Sequence, residues 1–313
     1  MALNWTEQAC TYSIVARDAN TGQFGVAVQT HQMSVGRVVP WALSGVGAVA
    51  TQSSTNVSFG PLALAMLREG VPAPRVLDAL IATDPDAHRR QVAVVDAVGR
   101  AAAWTGQGCI PEAAHRVGVG YSVQANMMTN PTVVGAMAAA YEAATGDLAQ
   151  RMLAALQAAQ GEGGDIRGMQ SAALKVVSGD PLKPAWSADY DLRVDEHANP
   201  VGELARLVRL RHAQLADRAG QELFDAGQKQ QALARWAEAR AEAPELEELS
   251  FWQAIALADG GADPQTAARI FNGALAHDPR RDHWLDLIRR MARCGLIQRP
   301  GAAEELLAAL GEV

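Results

Sequence analysis

The chain has 313 residues, 49% of them apolar and 19% charged, a balance that builds a globular core and excludes a disordered polymer. A net charge of −7 does not point to the basic face that nucleic acid or an anionic membrane would select, and no apolar run approaches the ~18 residues that span a bilayer. Three scattered cysteines (Cys10, Cys109 and Cys294) and a start without a signal-peptide pattern predict a cytoplasmic protein with no disulfide framework.

Taken in chain order, a β-branched run over 11–17, a turn at Asp18–Gly22 and a second run over 23–29 predict a hairpin. A strand over 45–51 follows, then helices over 60–69 and 73–83. Strands over 91–96 and 100–105 form the clearest hairpin, and another strand covers 117–124. Two helices, 132–143 and 146–159, precede strands over 170–177 and 189–194, and a helix over 199–215 leads out. Strand pairs alternating with helix pairs predict α+β layering, not a doubly wound sheet.

Near residue 215 the composition turns to Ala, Leu, Glu and Arg with a helical period. Gly227, Ala232, Trp236, Ala239 and Pro244 are echoed by Gly261, Ala267, Phe271, Ala274 and Pro279. Trp236 to Phe271 and Pro244 to Pro279 are each 35 residues apart, one more than the tetratricopeptide period of about 34. Small residues let two helices approach and the aromatic fills the gap between them. The region resembles a pair of tetratricopeptide-like repeats capped by Arg281–Leu310, with a generic helical bundle as the alternative.

Several polar groups stand where a packed domain does not need them. Thr11 heads a buried strand, the place where one enzyme class puts a terminal Thr whose own amine serves as its base. The run Ala50–Asn56, with Gln52 and Asn56, ends an apolar strand; it reads as a substrate-binding edge or as a Ser/Thr-rich turn with a helix cap. In Tyr121–Met127, Gln124 and Asn126 alternate onto one face. Gly163–Ala173 carries Asp165 and Arg167 among glycines, a pair able to bond each other or to grip a carboxylate. Asp191–His197 alternates as an edge strand would. The histidines lack metal-ligand spacing, and no phosphate loop, dinucleotide fingerprint or serine elbow occurs, so neither metal nor cofactor is expected.

Taken in series, Thr11–Asp18, Gly25–Gln29, Gly45–Gln52, Gly118–Met127, Gly163–Ala173 and Asp191–Asp195 resemble a bacterial and archaeal family catalogued as domain of unknown function 1028. That family is grouped by resemblance with the N-terminal-nucleophile hydrolases. The resemblance covers roughly residues 10–212. It implies a four-layer αββα sandwich over 11–213, preceded by a leader (1–10) and followed by the all-α repeat domain (214–313). It also implies hydrolysis of a small amide or peptide-like substrate through an acyl ester on Thr11, with polar neighbours as an oxyanion hole. Thr11, Asn126 and Gln52 are then the catalytic candidates, with Asn56, Gln124, Asp165 and Arg167 on the substrate. Ten residues precede Thr11, so the Cys10–Thr11 bond must break before its amine is free; trimming after Ala9 would make Cys10 the nucleophile instead. The competing reading is a non-catalytic binding or scaffold protein. In either case the repeats would recruit a partner through residues 214–313, and the Gly-rich first domain is compatible with a homodimer.

Overall fold

The computed structural model describes residues 8, 9 and 11–312, the first two by their backbone alone. Cys10 lies outside the described residues. The chain divides into two compact units, Met1–Val208 and Arg209–Val313.

In the first unit the chain runs β1 (Gln8–Ala9), β2 (Thr11–Arg17), β3 (Phe24–Thr30), β4 (Pro40–Leu43), β5 (Gly47–Ser54), α1 (Phe59–Arg68) and α2 (Ala73–Ala82). It continues through β6 (Arg90–Asp96), β7 (Ala101–Thr105), β8 (Ala114–Gly118), β9 (Tyr121–Asn126), α3 (Val133–Ala143), α4 (Leu148–Gly161), β10 (Ser171–Val177) and β11 (Tyr190–Val194). These strands make two antiparallel sheets. One is six-stranded in the order β11-β10-β3-β2-β9-β8; the other follows β1-β5-β6-β7, with β4 also on β5.

Period-2 alternation decides which side chains face which layer. Val15, Val26 and Val28 of the first sheet meet Ala48, Ala50, Ala93 and Val95 of the second in one buried cluster. The opposite face of the second sheet, with Val49, Val92 and Val94, packs on Leu64 and Leu67 of α1 and on Val76 and Leu80 of α2. On the first sheet Gly25 leaves room for Met152 of α4, and Tyr12 donates its hydroxyl to Gln160 of the same helix at 3.0 Å. Strands covered on both faces therefore read as nearly unbroken apolar runs, as Thr11–Arg17 and Phe24–Thr30 do. Each fully buried Val or Leu contributes about 1.5–3 kcal/mol, so this face-to-face burial dominates the stability of the unit.

The structure departs from the sequence reading at four places. β4 begins with Pro40 and spans four residues, too short and too proline-marked to show a period; it is an edge segment. The strand expected over 117–124 is the hairpin β8–β9, because β8 is an edge strand with no buried face to impose alternation. The strand expected over 45–51 starts at Gly47 and runs through Ser54, so the Ser/Thr-rich segment is largely strand. The helix expected to end near 215 is α5, Pro200–Asp225. It passes through Gly220, where a Cβ would collide with the Trp236 indole.

The second unit is helical: the rest of α5, then α6 (Lys229–Glu242), α7 (Glu247–Asp259), α8 (Pro264–Leu275), α9 (Arg281–Arg293) and α10 (Ala302–Ala309). Trp236 and Phe271, the aromatic positions of the two repeats, are fully buried in its core beside Ala267 and Phe251. Gly227 and Gly261 follow the ends of α5 and α7 with φ of 78° and 70°, the left-handed C-terminal cap that glycine adopts without strain. Among the described residues no helix is long and apolar enough to cross a membrane.

Candidate active site

The space between the sheets changes character along its length. At one end it is filled by valine and alanine. At the other, where β2 begins, inward positions carry polar groups: Thr11 and Ser13 on β2, Ser122, Gln124 and Asn126 on β9, Gln52 on β5 and Gln91 on β6. All seven are buried. Register brings them together. Thr11 stands opposite Asn126 and Ser13 opposite Gln124 within one sheet, and Gln52 stands opposite Gln91 within the other.

The hydrogen bonds assign every amide orientation. Gln91 Nε2 donates to the carbonyls of Ala125 (2.9 Å) and Ala114 (3.2 Å) and to Thr105 Oγ1 (2.9 Å), so its nitrogen must be on that side. Its Oε1 then accepts from Gln52 Nε2 (2.7 Å) and Asn126 Nδ2 (2.9 Å). Both of those amide nitrogens also approach the Thr11 carbonyl, at 3.2 Å from Gln52 and 3.4 Å from Asn126. Gln52 Oε1 accepts from Ser13 Oγ (2.6 Å), which accepts from Gln124 Nε2 (2.6 Å). Gln124 Oε1 accepts in turn from Ser122 Oγ (3.0 Å). Satisfied throughout, such a network fixes one arrangement of the two sheets, and any half-broken version of it is costly.

One group stands outside this order. Thr11 is fully buried, and its Oγ1 has no hydrogen-bond partner among the described residues. A buried hydroxyl left unpaired costs about 1–3 kcal/mol, a cost that Ser44 Oγ and the Gln29 amide share; what distinguishes Thr11 is its place at the head of β2 with two amides on its carbonyl. Backbone strain gathers at the same end. Among the described residues the non-glycine positions with positive φ are Ser34, Ser53, Glu112 and Met127. Ser53 directly follows Gln52 and Met127 directly follows Asn126. Met128 N donates to the Glu112 carbonyl, and Ser34 lies four residues past Thr30, the Cα partner of Thr11. Strain concentrated this way is characteristic of functional sites.

Asp165 and Arg167 lie at this end too. Asp165 Oδ2 accepts from the His31 backbone N–H (3.0 Å) and from Arg167 Nη2 (2.8 Å), while its Oδ1 accepts from the Arg167 backbone N–H (2.9 Å). The pair is thus an internal clamp that seats the glycine-rich turn against the end of β3. Burial, with the Asp165 charge adding to it, pushes the Tyr12 phenol above its ordinary range and keeps it neutral. Asn56 goes elsewhere: its Oδ1 accepts from Ser58 N (3.2 Å) at the entry to α1, and its side chain bonds Asp84.

Gln91, Ser13, Ser122 and Thr105 were not singled out from sequence. The signal that would have found them is polar residues at inward parity in otherwise apolar strands. Beyond Gln91, Thr105 Oγ1 lies 2.9 Å from His115 Nδ1, at the wall of a cavity of about 500 Å³ also lined by Cys109 and Glu112. Burial lowers the His115 pKa and raises that of the Cys109 thiol, so both are held toward their neutral forms. Among the described residues no three His, Cys, Asp or Glu side chains are gathered so as to hold a metal ion.

Residues 11–204 match the model of a family described as Family of unknown function (DUF1028). A solved structure assigned to the same family, protein SPO2555 from Silicibacter pomeroyi, is similar at 32% identity and a TM-score of 0.58. The likeness covers 64% of this chain and 88% of that one. No curated protein matches the chain.

Proposed function

This chain belongs to the DUF1028 family, and we propose that it is an amide-bond hydrolase of the N-terminal-nucleophile type with Thr11 as nucleophile. The observation that carries the reading is the unpaired, buried Thr11 hydroxyl at the head of a central strand, its carbonyl held by two amides. The family match also begins at residue 11. Two facing sheets with a helix pair on each outer side are read here as the four-layer αββα sandwich of such enzymes.

The reaction would start with removal of the leader. Thr11 Oγ attacks the Cys10 carbonyl, the Cys10–Thr11 C–N bond breaks, and the acyl group passes to oxygen while the nitrogen becomes the free amine. Water hydrolyses the ester and releases residues 1–10. In turnover the amine takes the Oγ proton as Oγ attacks the substrate carbonyl, then hands it to the leaving nitrogen. Water, deprotonated by the same amine, hydrolyses the acyl ester and restores Thr11.

In this scheme Gln52 and Asn126 position Thr11 through its carbonyl, and Gln124 holds Ser13 and so Gln52. Asp165 and Arg167 hold the turn that flanks the substrate, while Asn56 shapes the α1 entry. If cleavage instead followed Ala9, Cys10 would be the nucleophile. The setting would be cytoplasmic and the substrate a small amide.

Intact mass and N-terminal sequencing of the protein from its native host test the proposal. A chain beginning at Thr11 that hydrolyses an amide library, with Thr11→Ala both uncleaved and inactive, supports it. Turnover by a chain retaining its first ten residues would overturn it. The scaffold reading draws on a specific feature as well. The second unit carries a cleft of about 400 Å³ lined by Arg240, Arg269, Leu246 and Ile270, suited to a partner peptide.

A further inference from the structure

The path of the leader indicates where a substrate's acyl group would go. β1 pairs with β5 through Gln8↔Ser54 and Ala9↔Ser53, on the edge of β5 away from β6, whereas Thr11 already belongs to the other sheet. Followed backward from Thr11, the backbone of residues 9 and 8 therefore runs toward Thr55. In acyl transfer the fragment left on the nucleophile is the one N-terminal to the broken amide, and in the uncut chain that fragment is the leader. A substrate's acyl chain would occupy the same track once the leader has gone.

At the end of that track is a cavity of about 190 Å³ lined by Gln32, Arg37, Val38, Thr55 and Val57. Both sheets reach it. Gln32 lies two residues past Thr30, the Cα partner of Thr11, and Thr55 directly follows Ser54, the Cα partner of Gln8. At about 3.3–3.6 Å per extended residue, the cavity wall is on the order of 12 Å from Thr11, the reach of a short acyl chain.

Arg37 ends a short 3-10 turn, Val35–Arg37, whose backbone is anchored by Val35 N donating to Ser171 Oγ (3.1 Å) and Ser34 N to the Asp195 carbonyl (3.0 Å). Its guanidinium, by contrast, makes no hydrogen bond or ion pair among the described residues. Val38 and Val57 supply apolar wall for methylenes. A fixed backbone presenting an uncommitted guanidinium at the end of this short track complements a terminal carboxylate.

We infer that the substrates are amides whose acyl part is a short chain ending in a carboxylate, and that Arg37 binds that carboxylate. The inference rests on the hydrolase reading for the direction of the acyl chain, though the carboxylate subsite itself does not need catalysis.

The test compares succinyl- and butyryl-7-amido-4-methylcoumarin, which differ by carboxylate against methyl, with wild type, Arg37→Lys and Arg37→Gln. Wild type should favour the succinyl amide by about tenfold or more in kcat/KM, the scale of one charge-assisted hydrogen bond at an exposed site. Arg37→Gln should bring the succinyl amide down to the butyryl level, mostly through KM, and Arg37→Lys should retain part of the preference. Equal rates on both amides in wild type, or a preference that survives Arg37→Gln, overturns the inference while leaving the hydrolase reading standing. Calorimetric titration with succinate separates the two ideas. Succinate bound by wild type and at least tenfold more weakly by Arg37→Gln, without turnover of either amide, supports the subsite and counts against the hydrolase. Neither turnover nor succinate binding at millimolar concentration overturns the subsite.

Discussion

Gln91 is the residue on which the arrangement at Thr11 depends most, although it does not touch Thr11. From a fully buried position its oxygen accepts two hydrogen bonds, and the two hydrogens of its amide nitrogen are shared among three acceptors. Gln91→Leu keeps much of the volume and removes them all. Gln52 and Asn126 keep the Thr11 carbonyl as an acceptor and Thr105 Oγ1 keeps His115 Nδ1 (2.9 Å), so the uncompensated loss falls mainly on the Ala114 and Ala125 carbonyls. At about 1–3 kcal/mol for each buried group left unpaired, the expected destabilisation of the first unit is about 2–5 kcal/mol. Gln91→Glu gives a different signature. The two carbonyls now face a carboxyl group, which can satisfy one of them only while protonated, so its pKa is raised above the ordinary ~4.3. The folded state then binds more protons than the unfolded state. The penalty of Gln91→Glu relative to wild type is therefore smallest below about pH 4 and grows as pH rises, by up to ~1.4 kcal/mol per unit, until the folded pKa is passed. The readout is hydrogen exchange in peptides from β2, β6 and β9, which reports on the first unit alone, measured in the full chain at several pH values and urea concentrations. A change below about 0.5 kcal/mol in Gln91→Leu, or a Gln91→Glu penalty that does not grow with pH, would refute the network as the organiser of this end of the sandwich.

Thr11→Val should leave the first unit as stable as wild type or more stable by about 1 kcal/mol, because it removes an unpaired buried hydroxyl while keeping shape, yet abolish processing and turnover; urea unfolding and N-terminal sequencing check both. Asp96→Asn should cost about 1–3 kcal/mol at pH 7, since Asp96 accepts from the backbone N–H of Ala73 (3.0 Å), Val98 (3.1 Å) and Arg100 (3.0 Å) and from Arg100 Nε (2.7 Å). Burial alone would raise the Asp96 pKa, but these donors hold it below the ordinary carboxylate value, so its contribution is present above about pH 4 and lost as pH falls through the folded pKa. The gap between Asp96→Asn and wild type should therefore narrow in acid, as a pH series of denaturation curves would show. Gly220→Ala should destabilise the second unit by about 1–3 kcal/mol by pushing the Trp236 ring aside, with a red-shifted and more quenchable tryptophan emission as the check.

Much of the candidate site was legible as separate pieces. Thr11, Gln52, Gln124 and Asn126 stand at polar positions in or at the ends of apolar strands, a local contradiction that a sequence displays by itself. Asp165 and Arg167 were also visible as a pair, and their two-residue spacing lets the side chain of one bond the backbone and guanidinium of the other. Gln91 escaped because it opens its strand beside Arg90, where a polar residue looks like part of a turn. Asn56 lies two residues beyond β5, yet the chain has already turned into α1 there, and the side chain faces Asp84 and not Thr11.

What the sequence determined alone is everything carried by short separations. The hairpins β2–β3 and β6–β7, the helix pairs, the repeated glycine caps and the buried aromatics of the second unit all follow from periods of 2 and 3.6 and from turn residues a few positions apart. The tertiary structure decided which inward faces meet. Alternation makes Gln52 and Gln91 inward on one sheet and Thr11, Ser13, Gln124 and Asn126 inward on the other, but no local rule says that these polar ends coincide. They coincide because the valine and alanine halves of both sheets are buried against each other. That contact sets the stacking, and it leaves the polar halves facing across the same gap, where all but the Thr11 hydroxyl find hydrogen bonds in one another and in nearby carbonyls.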